Sequence, residues 1–241
     1  MKVLWLVTAR SQSRSIPDKN ILELGGHPLL AYRVSAALCL APADDVWVST
    51  DSQRYAEIAG SYGATVPFLR PAELASDAAS SVDVVLHAME HAEATGRQYD
   101  AIGLLEPTSP FVLPATIENA TRRLSATTAA AAIVATRVSR PSTIYIQPEA
   151  EYLSEIARRL GERPPPRRQE ERVEITPSGG FHVARWEQFR RRPAFYTQRT
   201  LSHDVSALEA LDIDEPLDWE WARFLIAEGH IDPARFGLRP R

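Results

Sequence analysis

Short apolar runs alternate with amphipathic helical segments through the first ~135 of the chain's 241 residues, and no other feature limits the fold so tightly. Residues 3–8, 46–49, 65–68, 101–105 and 130–135 read as strands, rich in Val, Ile, Leu and Ala. Helical stretches lie between them at 29–40, 52–62, 80–93 and 114–125. In the third helix, Val82, Val85, Leu86 and Met89 fall at i, i+3, i+4 and i+7, the spacing of one buried face. Thr50 and Asp51 before the second helix are capping chemistry. Strands joined through helices by short connections predict an α/β fold with a mainly parallel, doubly wound sheet. Ligands of such sheets bind beyond the carboxyl ends of the strands, which is where Arg10, Asp51 and Glu106 fall.

From residue 137 to 177 the texture changes. Pro141, Pro148, Pro164, Pro165 and Pro166 interrupt any long element, and Arg163, Arg167, Arg168 and Arg172 gather there. This segment reads as an arm inserted into a single domain spanning 1–241. Strands are expected at 180–184 and 211–214, and a closing amphipathic helix at 216–228. The net charge of −4 argues against a general nucleic-acid binder. The single cysteine, Cys39, cannot form an internal disulfide and is expected in the core of the first helix. With no signal-peptide pattern and no apolar stretch near the ~20 residues that cross a bilayer, a soluble, cytoplasmic protein without membrane partners is expected.

The loop after the first strand carries the clearest chemistry. Arg10, Ser11, Gln12, Ser13, Arg14 and Lys19 follow an apolar run, so backbone N–H groups and cations collect where a polyphosphate would sit. Of 27 basic residues only Lys2 and Lys19 are lysine. A lysine kept inside that loop marks a place for a compact ammonium rather than a planar guanidinium. Near the other end, Asp212 and Asp214 share one face if their segment is extended, about 6.5–7 Å apart along the chain. Such a pair suits Mg²⁺, which takes a few carboxylates and completes its shell with phosphates and water; the plainer alternative is helix capping by Asp214. Arg70 precedes Pro71 at another strand end, and Ser80 and Ser81 open a helix, where anion binding and simple capping compete. His87, Glu90 and His91 spell a zinc-peptidase helix pattern, but no further ligand accompanies them. Gly25 and Gly26 read as a turn.

These residues, taken in order, resemble the cytidylyltransferases that activate acidic sugars, above all the CMP-sialic acid synthetase (acylneuraminate cytidylyltransferase) group. The resemblance runs through ARSQSRSIPDKN at 9–20, LGGHPLLAY, VSTD, FLRPAEL, DAASSVDVVLHA, PTSP and DIDEPLD, nearly the whole chain. It implies a Rossmann-like nucleotidyltransferase fold (GT-A-like) with an inserted dimerisation arm, acting as a homodimer. It implies transfer of CMP from CTP to an acidic acceptor, with Mg²⁺ and release of pyrophosphate. Arg10, Ser13, Arg14, Lys19 and Asn20 match the loop that holds the CTP phosphates and ribose. Arg70, Ser80 and Ser81 match positions near the cytosine and its phosphates, and Asp212 and Asp214 match the metal-binding acids. Lys19, Arg10 and Asp214 are the expected catalytic residues, with charge neutralisation at the α-phosphorus as their task.

The acceptor half departs from that pattern. Where the group reads QPTSPLR this chain has EPTSPFV, so Glu106 stands for an amide and Val112 for an arginine. Its NGAIY segment is here Ser178-Gly179-Gly180-Phe181-His182. Arg168 matches a family arginine that meets the sugar carboxylate, so the resemblance implies Glu106, Arg168, Phe181 and His182 as acceptor-binding residues, and a carboxylate at Glu106 would repel an anionic acceptor unless a proton, metal or arginine intervenes. Kdo-activating relatives fit less well, because their acidic motif is absent where PTSP stands. A nonulosonic (sialic-type) acid is the expected acceptor. The alternatives are a small phosphonate, such as a phosphonoformate-like acid, or loss of catalysis in a nucleotide-binding protein.

Overall fold

The computed structural model describes residues 1–13, 15–76, 78–139 and 174–239. Arg14, Arg163, Arg167, Arg168, Arg172 and most of the expected arm lie outside the described residues. A six-stranded sheet runs in the order β4-β1-β5-β7-β6-β8. Its strands are β1 (Val3–Thr8), β4 (Val46–Ser49), β5 (Ala101–Leu105), β6 (Ala132–Ser139), β7 (Glu174–Arg185) and β8 (Thr200–Asp204). β1 pairs in parallel with β4 and β5, and β6 with β8, whereas β7 runs antiparallel between β5 and β6. The α/β reading thus holds as a mixed, mostly parallel sheet. Among the described residues no helix is long and apolar enough to cross a membrane.

Both faces of the sheet are covered, which is why its central strands are apolar without alternation. On one face α1 (Leu29–Leu38), α2 (Gln53–Ser61) and α5 (Pro114–Ser125) contribute Leu30, Val34, Tyr55, Ile117 and Leu124. On the other, α4 (Ser81–Ala94) and α6 (Trp186–Arg191) contribute Val85, Met89, Trp186 and Phe189. A third cluster decides where the site can form. Ile16, Leu24, Leu29, Tyr32, Phe111, Ile213 and Trp219 pack together, joining the loop after β1, the segment 211–214 and α7 (Pro216–Ala227). Between α2 and α4 lies the single-turn α3 (Ala72–Ala75). The hairpin β2 (Glu23–Leu24) and β3 (His27–Pro28) turns at Gly25 and Gly26, with φ of 58° and 80°, the left-handed pair that a two-residue hairpin loop requires.

Several expectations need correction. Residues 65–68 form no strand, because Pro67 lacks an amide for the ladder. Only isolated bridges, Trp47 to Thr65 and Thr50 to Leu69, tie this segment beside β4. Residues 211–214 are also not a strand; the Ile213 amide donates to the Thr108 carbonyl at 2.7 Å, and no ladder forms. Cys39 is exposed rather than core, because α1 ends at Leu38. β8 was not expected: its sequence, TLSHD, has no apolar run, and it pairs at the sheet edge with β6.

Candidate active site

Past the carboxyl ends of β1, β4 and β5 the chain encloses a cavity of about 290 Å³. Arg10, Ser13, Lys19, Asn20, Arg70, Ser81, Glu106 and Asp214 line it, with Thr8, Leu74 and Val84 giving apolar surface. Residues from distant parts of the chain therefore face one space. The Lys19 ammonium is buried; it donates to the Ile213 carbonyl at 2.6 Å and lies 3.4 Å from Asp214 Oδ1. Ser15 Oγ adds a hydrogen bond to the Asp214 carbonyl. Ile16 and Ile213 belong to one buried apolar cluster, and burying both segments in it carries Lys19 and Asp214 to the same rim.

The loop is held by its own polar residues. Asp51 accepts from the Ser11 amide at 2.8 Å and from Ser11 Oγ at 2.6 Å, so it anchors the loop and does not cap α2. Ser52 is the cap. Asn20 donates to the Arg10 carbonyl at 3.0 Å, while its Oδ1 is buried with no hydrogen-bond partner among the described residues. Asp18, immediately before Lys19, sits at φ 53° and accepts from Tyr55 at 3.0 Å, an αL conformation held by a side chain on α2. Arg70 is buried and donates through Nε to Ser49 Oγ at 3.0 Å, which fixes its guanidinium at the end of β4. The two serines of α4 part company. Ser80 is exposed and forms a capping box with Asp83, whereas Ser81 faces the cavity and donates to Glu106 Oε1 at 3.3 Å.

The acidic end gathers around β7. Between Val134–His182 and Thr136–Pro177 the register slips, so residues 178–181 bulge out of the ladder. A side chain at Gly179 would stand 2.8 Å from Ser109 Oγ and 3.4 Å from carboxylate oxygens of both Asp212 and Glu106. Ser109 donates to Asp212 Oδ1 at 3.2 Å, which turns Asp212 behind the cavity wall, while Asp214 reaches into the cavity itself. Desolvation first, then the charge of Asp212, pushes the Glu106 carboxyl up to about 7. Arg33 of α1, fully buried, donates to the Val112 carbonyl at 3.0 Å and the Gly180 carbonyl at 2.6 Å. Burial lowers its pKa to about 9, against the pull of Glu106 and Glu209.

Two expected acceptor residues do not line this cavity. Phe181 is fully buried among Leu30, Val34 and Ile133 and does not line the cavity, because an inward position on β7 belongs to the core. His182 points to the opposite face of the sheet, sharing a 2.9 Å hydrogen bond with Tyr196 beside Phe195. Burial lowers the His182 pKa to about 4, so its ring is neutral. Arg33 was missed because it lies inside the apolar run LLAYRVSAAL; an arginine in the middle of a buried helix face was the signal. Among the described residues no three His, Cys, Asp or Glu side chains group to hold a metal, and the zinc pattern on α4 is instead an aromatic cluster of His87 and His91 around Phe68.

Known proteins agree with this architecture. A CMP-N,N'-diacetyllegionaminic acid synthase of Legionella pneumophila is 31% identical over 230 residues, covering 91% of this chain and 94% of the relative. An N-acylneuraminate cytidylyltransferase of Escherichia coli is 34% identical over 222 residues, covering 92% of this chain and 51% of the relative, so the chain spans about half of that protein. In structure, a CMP:2-keto-3-deoxy-manno-octonic acid synthetase complexed with CTP superposes with a TM-score of 0.66 at 19% identity, over 95% of this chain and 100% of that one. That likeness bears on the fold alone. The family profile described as Cytidylyltransferase matches residues 4–231, and the chain belongs to that family.

Proposed function

We propose that this cytidylyltransferase moves CMP from CTP to a nonulosonic acid. The observation that carries the reading is the meeting of Lys19 and Asp214 at one cavity, 3.4 Å apart, across 195 positions of sequence. An oxygen of the acceptor attacks the α-phosphorus, the bond from that phosphorus to the β-phosphate bridge breaks, pyrophosphate leaves, and the acceptor proton passes to solvent. Arg10 and Lys19 stabilise the charge that gathers on the phosphates. Arg70 and the apolar surface of Leu74 and Val84 lie on the wall suited to the base and its nearest phosphate. Asp214, with Asp212 behind it, would hold Mg²⁺. Two carboxylates fit an ion that completes its shell with phosphates and water, and when bound it supplies Lewis-acid stabilisation of the triphosphate.

Glu106 fits an anionic acceptor better than its charge alone suggests. Burial first, then Asp212, pushes its carboxyl up to about 7, which eases the approach of an anion to this position. Support for a nonulosonic acceptor comes from the relatives named above, whose activities concern legionaminic and N-acylneuraminic acids. They lend the small-phosphonate alternative no support. A homodimer is part of the proposal: Val138 and Ile175 face each other across β6 and β7, both exposed, and give the base of the arm an apolar surface suited to a second copy.

A pyrophosphate-release assay with sialic-type acids and small phosphonates side by side tests the reading. Release that needs CTP, Mg²⁺ and a nonulosonic acid is expected. Release with a phosphonate alone would move the assignment to that acceptor class, and CTP binding without turnover on any acid would make this a nucleotide-binding protein.

A further inference from the structure

The structure assigns Arg33 as a positioning residue that fixes the acceptor end of the cavity, by holding the loop after β5 and the bulge of β7 in one spatial relation. This inference rests on the CMP-transfer reading above. A guanidinium with no exposed surface is costly, and every residue around it on α1 from Leu29 to Ala37 is buried, so a Leu or Met would fill the space at less expense. Instead Arg33 spends its bonds on two backbone carbonyls, Val112 at 3.0 Å and Gly180 at 2.6 Å, and its Nε has no partner among the described residues.

Those two carbonyls belong to the two segments that shape the acidic end. Val112 closes the stretch that begins at Glu106 and includes Ser109, the donor to Asp212. Gly180 follows Gly179, whose open side faces Ser109, Asp212 and Glu106. The segments also touch directly, since a Cβ at Gly180 would come within 2.7 Å of Val112 Cγ2. A planar fork presents two N–H groups to both carbonyls in a fixed geometry, which an apolar side chain cannot do and a lysine ammonium does with less constraint. Arg33 does not line the cavity; it acts through the placement of Glu106 and of the bulge at Gly179 and Gly180. The phosphate loop and Arg70, which are held by Asp51 and Ser49, do not depend on it.

The test is steady-state kinetics on Arg33→Met, Arg33→Lys and Gly180→Ala, with folding checked by circular dichroism. Gly180→Ala pushes the same wall from the other side and decides the matter if Arg33→Met does not fold. The KM for the nonulosonic acid should rise about tenfold or more in Arg33→Met and Gly180→Ala, with the KM for CTP within about twofold of wild type. Arg33→Lys should fall between wild type and Arg33→Met. An acceptor KM that stays flat in the folded variants, or a KM for CTP that rises in parallel, would overturn the assignment. A wild type that turns over no acid overturns the functional reading and this inference with it, whereas an active wild type with a flat variant series overturns this inference alone.

Discussion

Lys19 and Arg70 are each held by a neighbour from another part of the chain. Lys19 is buried against a carbonyl and a carboxylate from the far end of the chain, and Arg70 is folded back onto Ser49. The residue types were legible in sequence because a lone lysine among arginines, and two aspartates one residue apart, are chemically marked. What the sequence could not show was which side of β7 each residue faces. The bulge at 178–181 shifts the alternation, leaving Phe181 in the core and His182 with Tyr196. His182 also makes a pH prediction. Its pKa is lowered by burial from 6.5 to about 4, so the unfolded chain takes up a proton that the folded chain refuses as pH falls through that window. The stability tied to the neutral ring is present above pH ~6.5 and is lost progressively toward pH ~4, by about 2 kcal/mol at pH ~5. Denaturant titrations of His182→Gln should show a smaller loss between pH 7 and 5 than wild type; equal losses would mean that His182 is solvated in the folded protein.

At the scale of elements, period and capping signals located α1, α2, α4, α5 and α7 within a residue or two, while the short α3 and α6 were not expected. Pro114–Ser125 and the strands β1, β4 and β5 fall where the pattern put them. Elements that depend on a partner were less legible. β8 has no apolar run of its own, and residues 65–68 and 211–214 carry strand-like composition without a ladder to join. The segment 211–214 has a different task. Its Ile213 is fully buried in the cluster with Ile16 and Trp219, and that apolar wedge is what sets the spacing of Lys19 and Asp214. Ile213→Ala should therefore cost about 2–5 kcal/mol of stability. It should also weaken CTP binding, although it removes no group that touches nucleotide. Calorimetric CTP affinity checks this: a destabilised variant that binds CTP as wild type does would show that the wedge serves stability alone.

At the scale of the molecule, one mixed sheet carries the proposed nucleotide end on β1, β4 and β5 and the proposed acceptor end on β5 and β7. The cavity residues of the first of these lie mostly in contiguous motifs and were legible for that reason. The acceptor end is assembled from a bulge, a buried arginine and a carboxyl with a displaced pKa, none of which has a local pattern. The proposed dimer predicts a mass twice 26.8 kDa by light scattering, falling to 26.8 kDa in Val138→Glu. A wild-type monomer at assay concentration would remove the shared arm from the account. The most direct test of the central claim is the rate of CMP transfer in Lys19→Ala, followed as pyrophosphate release at saturating CTP and nonulosonic acid. Loss of a charge donor to the transition state predicts a fall of about 10²-fold or more in turnover. Turnover unchanged from wild type would contradict the claim that this ammonium and the Asp214 carboxylate serve one triphosphate.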